Sequence, residues 1–295
     1  MRFLEVATSR TIFDSMDILE STKQDYLARL PHFVGFVSRN GITRDLLLEY
    51  KQHLRSRNDL GIASKNKYLA VARLALRELH RQGAISIDLS SGIKSFHQSQ
   101  KHKVHGLNED EVEMICKHLK AADDSFAIIR LRALTALLIF QGLRQIEICR
   151  LDVADVDISS STIKVLGKGR DDTELIHLHP QTAKALTAYL RSSQVKHGPL
   201  FTPLNGQSSG RRLSTRGLRS IIQQMFHRLG IDRTVHGTRH FFTTQLIKSY
   251  ESDLTGVARY TRHNSLETLN VYNDAILNEK DLVNYYATFK SELSG

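Results

Sequence analysis

The apolar side chains of the first hundred residues recur at helical spacing and predict a small helical unit. Ser21 carries a capping-box signature and opens the first helix, which Gly41 ends and in which Pro31 predicts a kink or a restart. Thr43 is expected to cap a second helix and Ser64 to open a third. A short apolar segment closes this part, so we expect about four helices.

A polar, basic stretch without periodicity follows and predicts the boundary between two domains. We place the N-terminal domain at residues 1–98, the linker at 99–106 and the C-terminal domain at 107–295. A chain of 295 residues agrees with this division, since a domain has about 100–200 residues.

The second domain combines helices with a short strand-like region. Asn108 and Glu111 form a capping box, and an apolar helix over residues 125–140 is followed by Gly142. The segments VADVDIS, STIKVL and TELIHLH then have the short, β-branched character of strands, and glycines on both sides of Lys168 predict a tight hairpin. Helical spacing returns afterwards, so the expected fold class is mainly α with a small β-sheet.

Positive charge is spread over the whole chain. The net charge is +10, with 15 Lys/Arg against 10 Asp/Glu in residues 1–100 and 26 against 21 in the remainder. This balance favours a polyanionic partner such as nucleic acid, although a basic enzyme without such a partner has the same composition. Two equally basic halves suggest a clamp that closes on DNA.

The cysteines and the hydropathy of the chain indicate the cellular compartment in which we expect the protein. Cys116 and Cys149 both lie among apolar residues in helical patterns, so we expect no disulfide framework and a reducing cytoplasm. The N-terminus lacks the apolar core of a signal peptide, and no run approaches the ~18 apolar residues of a membrane span. We therefore expect a cytoplasmic protein without a membrane partner.

The C-terminal domain contains the groups that a protein needs to attack a phosphodiester with its own hydroxyl. They are Arg144, Lys168, His236, Arg239, His263 and Tyr272, with Glu147 and His240 in support. A tyrosine is the nucleophile, two guanidinium forks bind the phosphate, histidines donate hydrogen bonds or move a proton, and a lysine protonates the leaving oxygen. Such chemistry needs no metal or other cofactor, and a phosphotyrosine bond keeps the energy for resealing without ATP.

Each of these residues also has an ordinary structural role. A tyrosine on an amphipathic helix is most often a core residue, and Arg144 with Glu147 one turn later is most often a surface pair. His236 and His240 are spaced like a zinc-binding pair, but no Glu follows His236 and no cysteine cluster accompanies them. A zinc-dependent hydrolase is therefore an alternative that the spacing disfavours.

Two groups of cations are candidate phosphate contacts. The first lies on the third predicted helix, and the second surrounds a helix start expected near Ser214. They are Lys65, Lys67, Arg73 and Arg77, followed by Arg211, Arg212, Arg216 and Arg219.

The order of these motifs resembles that of the tyrosine recombinase (phage integrase-like) family. The matching segments are QGLRQIE, LGKGRDD, HGTRH and RHNSLETLNVY, and ASKNKYLAVARLALREL is similar to the family's core-binding domain. The resemblance extends from about residue 18 onward and points to the simple Xer-like or transposon-resolving members, since no room is left for an arm-binding domain before it.

The resemblance implies a helical, SAM-like core-binding domain and an α+β catalytic domain that clamp double-stranded DNA carrying a recombination site. Tyr272 would form a 3′-phosphotyrosine link, Lys168 would be the general acid, and a homotetramer would pass through a Holliday junction. The tail would dock on a neighbouring protomer through Leu282, Val283, Tyr286 and Phe289. A second recombinase or an accessory protein stays open as a further partner.

The chain departs from the family at two positions. Thr238 stands where the family usually has Leu, and Arg262 stands before His263 where it usually has Gly. Neither change removes a catalytic group. The alternatives of another class are a catalytically silent DNA-binding protein of the same fold and a type IB topoisomerase-like relaxing enzyme.

Overall fold

The chain divides into two compact units, Met1–Gln100 and Lys101–Gly295. The structure is a computed structural model, which describes residues 12–98, 106–167, 169, 171–204, 210–262, 265–274 and 276. The predicted linker therefore lies outside the described residues, apart from Gly106.

Helices build the described part of the first unit. They are α1 (Glu20–Asn40), α2 (Leu46–Ser56) and α3 (Ile62–Arg81). Their apolar faces meet in one core around Phe33, Tyr50 and Leu76, each of which is almost completely buried. Burial of such side chains, worth roughly 1.5–3 kcal/mol each, holds these helices together.

Three of the predicted helix starts in this unit are wrong. Helix α1 begins at Glu20 without a side-chain cap, and Gln24 donates a hydrogen bond to the Glu20 carboxylate instead of completing a box with Ser21. Asp45 rather than Thr43 precedes α2, and α3 begins two residues before Ser64. No side chain caps any of these three starts, and α2 begins directly at the buried Leu46 and Leu47.

Helix α1 also runs through Pro31 without restarting. Leu30 and Phe33 are buried on either side of the proline in the core of this unit, and α1 packs against α3. The burial of these side chains, roughly 1.5–3 kcal/mol each, offsets the roughly 3 kcal/mol cost of an interior proline. Gly41 ends the helix with φ 79°, as predicted.

The second unit mixes helices with a small antiparallel sheet. The helices before the sheet are α4 (Glu109–Ala121), α5 (Phe126–Ile139) and α6 (Gln145–Arg150). The sheet has the order β1 (Val156–Asp157), β2 (Thr162–Leu166) and β3 (Thr173–His177). The helices after it are α7 (Pro180–Ser193), α8 (Thr215–Arg228), α9 (His236–Ser249) and α10 (Leu254–Thr261), and residues 266–274 are helical.

Helix α5 is the centre of this unit. Its residues from Ala133 to Ile139 are all buried, and it packs on α7, α8 and α9. The capping box of Asn108 and Glu111 is present, and Gly142 has φ 60° just beyond α5, as the sequence predicts. The predicted fold class, mainly α with a small β-sheet, is confirmed.

The helical residues 266–274 pack on a separate, smaller apolar cluster. It contains Ile247 of α9, Val257 of α10, and Leu269, Tyr272 and Ile276. The Tyr272 ring thus belongs to a satellite of the main core, and α9 and α10 position it. No helix in the described part of the chain is long and apolar enough to cross a membrane.

Candidate active site

The first turn of α9 brings three candidate residues to one place. His236 begins the helix and is exposed, whereas Arg239 and His240 are buried one turn later. Thr238 is also buried, and its hydroxyl donates to the Val235 carbonyl oxygen at 2.8 Å. The buried hydroxyl of Thr238 thus has a hydrogen-bond partner within the chain, at the position where the resembling family usually has Leu.

Main-chain carbonyls hold the guanidinium of Arg239. Nη1 donates to the Gly142 oxygen at 2.6 Å, and Nη2 donates to the oxygen of Thr261. Burial, followed by repulsion from Arg144, lowers the pKa of Arg239 to about 9. The group therefore stays charged at neutral pH, fixed between the loop after α5 and the last residue of α10.

Arg144 and its neighbours form an ion-pair network at the start of α6. Arg144 Nη1 donates to Glu147 Oε1 at 2.8 Å, as the sequence predicts, and its backbone N–H donates to Oε2 at 2.7 Å. Arg262 Nη2 donates to the same Oε2 at 2.9 Å. The Glu147 side chain is fully buried, whereas that of Arg144 is 28% exposed, so Arg144 is the member that an incoming anion can reach.

The pKa of Glu147 records the balance in this network. Burial acts to raise it, but Arg262 and the hydrogen bonds from Arg144 act against burial, and the net pKa is lower than usual. The carboxylate is therefore ionised and orients two guanidinium groups at neutral pH.

Tyr272 and two histidines form a row of aromatic rings. The Tyr272 hydroxyl lies 2.5 Å from His240 Nδ1, and the rings of His240 and His236 meet edge to face with centroids 4.5 Å apart. Burial raises the pKa of Tyr272 to about 12, although Arg239 and Arg144 act to lower it. The phenol is thus protonated at neutral pH and needs an acceptor for its proton before it can attack.

These contacts bring Arg144, Arg239, His240 and Tyr272 together, with His236 at the open end of the ring row. Guanidinium groups beside a phenol suit a phosphate, because they bind anionic oxygens in a planar, bidentate way. A phosphorus atom placed there would be within reach of the hydroxyl, so the arrangement suits nucleophilic attack on a phosphodiester.

Two predicted site residues lie outside the described residues: Lys168 and His263. The strands that flank Lys168 are as predicted, since β2 and β3 pair from Thr162↔His177 to Leu166↔Thr173, and Gly169 has φ 74°. The tail residues Leu282, Val283, Tyr286 and Phe289 also lie outside the described part.

The predicted phosphate contacts fall into two groups. Lys65, Arg73 and Arg212 bind carbonyl oxygens of their own chain, and Arg212 also pairs with Asp152 at 2.6 Å. Lys65 is even buried, which gives it a structural role. The others, which are exposed, stay candidates: Lys67, Arg77, Arg211, Arg216 and Arg219.

The sequence predicts that Arg262 adds positive charge close to His263, but it does not reveal the contact of Arg262 with Glu147. Its contact with Glu147 joins residues 115 positions apart, which no local spacing reveals. The one available signal was its place before His263, where the resembling family has Gly. Among the described residues, no group of three or more His, Cys, Asp or Glu is arranged to hold a metal ion.

Comparison with known proteins gives consistent matches. Residues 105–279 match the model of the phage integrase family. The tyrosine recombinase XerC of Lactobacillus leichmannii is 27% identical over 243 residues, which cover 81% of this chain and 80% of that protein. The tyrosine recombinase XerD of Halalkalibacterium halodurans is 28% identical over 247 residues, which cover 80% and 78% of the two chains.

Solved structures share the fold. The XerH site-specific recombinase bound to its palindromic difH substrate matches with a TM-score of 0.74 and 21% identity, over 90% of this chain and 79% of that one. A lambda integrase dimer bound to a COC′ core site matches with a TM-score of 0.67 and 14% identity, over 92% of this chain and 75% of that one.

Proposed function

The chain belongs to the phage integrase family, and we propose that this tyrosine-type site-specific recombinase attacks a DNA phosphodiester with Tyr272. The observation that carries the proposal is the phenol of Tyr272, held 2.5 Å from His240 Nδ1 while the charges of Arg239 and Arg144 act on it. A buried tyrosine between an acceptor and paired cations is suited to displacement at phosphorus.

The proposed step exchanges one ester for another. Oη of Tyr272 forms a bond to phosphorus, its proton passes to His240 Nδ1, and the bond from phosphorus to the 5′-oxygen breaks. Lys168 supplies the proton that the leaving 5′-oxygen needs. The product is a 3′-phosphotyrosine link, which preserves the bond energy, so the reverse attack by a 5′-hydroxyl reseals the strand without ATP.

Arg144 and Arg239 hold the nonbridging oxygens as negative charge gathers on them. A preorganised donor of this kind is typically worth a factor of ~10²–10³ in rate. His236 and His263 are the further phosphate contacts in the proposal, and Glu147 orients Arg144.

The proposed partner is double-stranded DNA with a recombination site, in the cytoplasm, where free thiols such as Cys116 and Cys149 persist. Domains 1–98 and 107–295 would close on the duplex as a clamp. Four protomers would exchange strands through a Holliday junction, and the tail from Leu282 to Phe289 would dock on a neighbour. A second recombinase or accessory protein is an additional component to test for.

The test is covalent trapping on a nicked suicide substrate, with EDTA present and ATP absent. We expect the wild-type protein to give a denaturation-resistant DNA adduct and Tyr272→Phe to give none. Tyr260→Phe is the matched control, because Tyr260 is 53% exposed on α10 and outside the site, and it should form the adduct at the wild-type rate.

Other outcomes would select other functions. An adduct in Tyr272→Phe would move the nucleophile elsewhere. DNA binding without any adduct, with candidate partner proteins added, would favour the silent DNA-binding protein. Relaxation of supercoils by a monomer without pairing of sites would favour the topoisomerase-like enzyme, and loss of activity in EDTA would favour the zinc-dependent hydrolase.

A further inference from the structure

Arg262 has a backbone conformation that disfavours a side chain. It follows α10 with φ 53° and ψ 43°, in the left-handed region where glycine is the usual residue. Its side chain is nevertheless charged and only 4% exposed. Both the strain and the buried charge cost folding free energy, so the contacts of Arg262 have to offset that cost.

The first contact is a carboxylate that Arg262 shares with Arg144. Arg262 Nη2 donates to Glu147 Oε2 at 2.9 Å, while Arg144 donates to the same carboxylate from Nη1 and from its backbone N–H. Glu147 therefore divides its negative charge between two guanidinium groups. One of them is buried, and the other, Arg144, is partly exposed toward the site.

A second influence on Arg262 is electrostatic and comes from the sheet. Burial lowers the pKa of Arg262, whereas the charges of Glu147 and Glu174 act to raise it. Glu174 belongs to β3, one of the two strands of the hairpin around Lys168. Among the described residues, Nε and Nη1 of Arg262 have no hydrogen-bond partner although they are buried.

Arg262 thus lies where the pieces of the site converge. It donates to Glu147, which also binds Arg144, and the charge of Glu174 in the hairpin acts on it. It also stands ten positions before the proposed nucleophile Tyr272. The carbonyl oxygen of its neighbour Thr261 accepts a hydrogen bond from Arg239 Nη2.

We propose that Arg262 is a positioning residue that keeps Arg144 available to the scissile phosphate. With Arg262 in place, Glu147 is neutralised by a second guanidinium, and Arg144 retains positive charge for the substrate. Without it, Glu147 and Arg144 form a one-to-one pair whose charges cancel. This inference rests on the proposed function, since it concerns the rate at which Tyr272 attacks.

The test measures DNA affinity and the single-turnover rate of adduct formation separately. Arg262→Gly removes the side chain and suits the left-handed backbone, so the variant should fold. We expect its adduct rate to fall about 10²-fold, as for a misplaced catalytic group, while its DNA affinity stays within about threefold. Added methylguanidinium, which fits the vacated space, should restore part of the rate.

A double-mutant cycle shows whether Arg262 acts through Glu147. We expect Arg262→Gly combined with Glu147→Gln to be no slower than Glu147→Gln alone, because the carboxylate that Arg262 neutralises is already gone. Arg259→Ala, which removes an exposed charge from α10, is the control and should react at the wild-type rate.

Arg262→Gly reacting at the wild-type rate would overturn the proposal, as would losses that multiply in the double mutant. A fall in DNA affinity equal to the fall in rate would instead make Arg262 a direct DNA contact. Failure of the wild-type protein itself to form an adduct would count against the proposed function, which keeps the two results distinguishable.

Discussion

At the scale of single residues, the proton of Tyr272 is the main obstacle to the proposed attack on phosphorus. A pKa of about 12 leaves only about one phenol in 10⁵ ionised at pH 7. The hydroxyl lies against His240 Nδ1, inside the protein and away from bulk water, so the histidine is the acceptor that can remove the proton as the bond to phosphorus forms.

Replacing His240 should therefore slow the attack and change its pH dependence. We expect His240→Gln to lose about 10²–10⁴-fold in adduct rate, the usual contribution of a positioned base. The residual rate should rise about tenfold per pH unit above neutrality, because hydroxide must then ionise a phenol whose pKa exceeds the pH range. Adduct rates from pH 6 to about 9 measure this, and a rate that stays flat in the variant would remove His240 from the mechanism.

The predictability of single residues follows from distance along the chain. The pair of Arg144 and Glu147 was predictable because residues three positions apart on a helix lie on the same face. The pair of Arg262 and Glu147 was not, because it joins elements 115 residues apart. Likewise, Lys65 has the sequence context of a surface cation, and only the packing of α3 against α2 reveals that it is buried.

At the scale of elements, the loop between α5 and α6 packs closely against α9 beside the site. Gly142 has φ 60°, and a Cβ there would lie 2.2 Å from Cδ1 of Phe242. The carbonyl oxygen of the same residue accepts the bond from Arg239 Nη1. The backbone of this glycine therefore controls both the packing of α9 and the direction of the Arg239 guanidinium.

Gly142→Ala tests the close packing of this loop against α9. The added methyl cannot fit without moving Phe242 or the carbonyl, so we expect a loss of about 1–3 kcal/mol in unfolding free energy and about 10²-fold in adduct rate. Gly230→Ala is the matched control, since Gly230 has φ 68° but no heavy atom within 4 Å of its added Cβ. Thermal unfolding and single-turnover assays give both quantities, and equal effects in the two variants would reduce the explanation to backbone strain alone.

The order of elements was predictable from hydrophobic period, and their ends were less so. The hairpin of β2 and β3, the apolar helix α5 and the cap of Asn108 follow local rules and are present. Helix α2 begins later than predicted, at the buried Leu46, whereas α1 and α3 begin earlier than predicted, at exposed residues. The start at Leu46 reflects tertiary packing, which a single sequence does not display.

At the scale of the whole molecule, the net charge of +10 favours DNA binding only through Lys and Arg side chains that are exposed and can contact phosphate. The structure distinguishes these exposed cations from cations that bind groups of their own chain. Lys65 donates to the Arg55 carbonyl oxygen at 3.1 Å, whereas Lys67, two residues along the same helix, is exposed.

Salt dependence of DNA binding should distinguish these two lysines. Lys67→Ala should reduce the slope of log K against log salt by about 0.9 if the ammonium neutralises one phosphate. Lys65→Ala should leave the slope unchanged and lower the thermal stability, because its ammonium contact is internal. Titrations at several salt concentrations provide the slopes, and a changed slope for Lys65→Ala would assign it to the DNA surface after all.

The crowding of guanidinium groups around Glu147 also links catalysis to thermodynamic stability. The lowered pKa of Arg239 means that its charged form costs the fold free energy at every pH below about 9, including neutral pH. The cost comes first from burial and then from repulsion by Arg144, and a phosphate bound between the arginines would offset both, so substrate and native state would stabilise each other. The free enzyme is in this sense a partly destabilised protein, and the DNA phosphate adds a second anion beside Glu147.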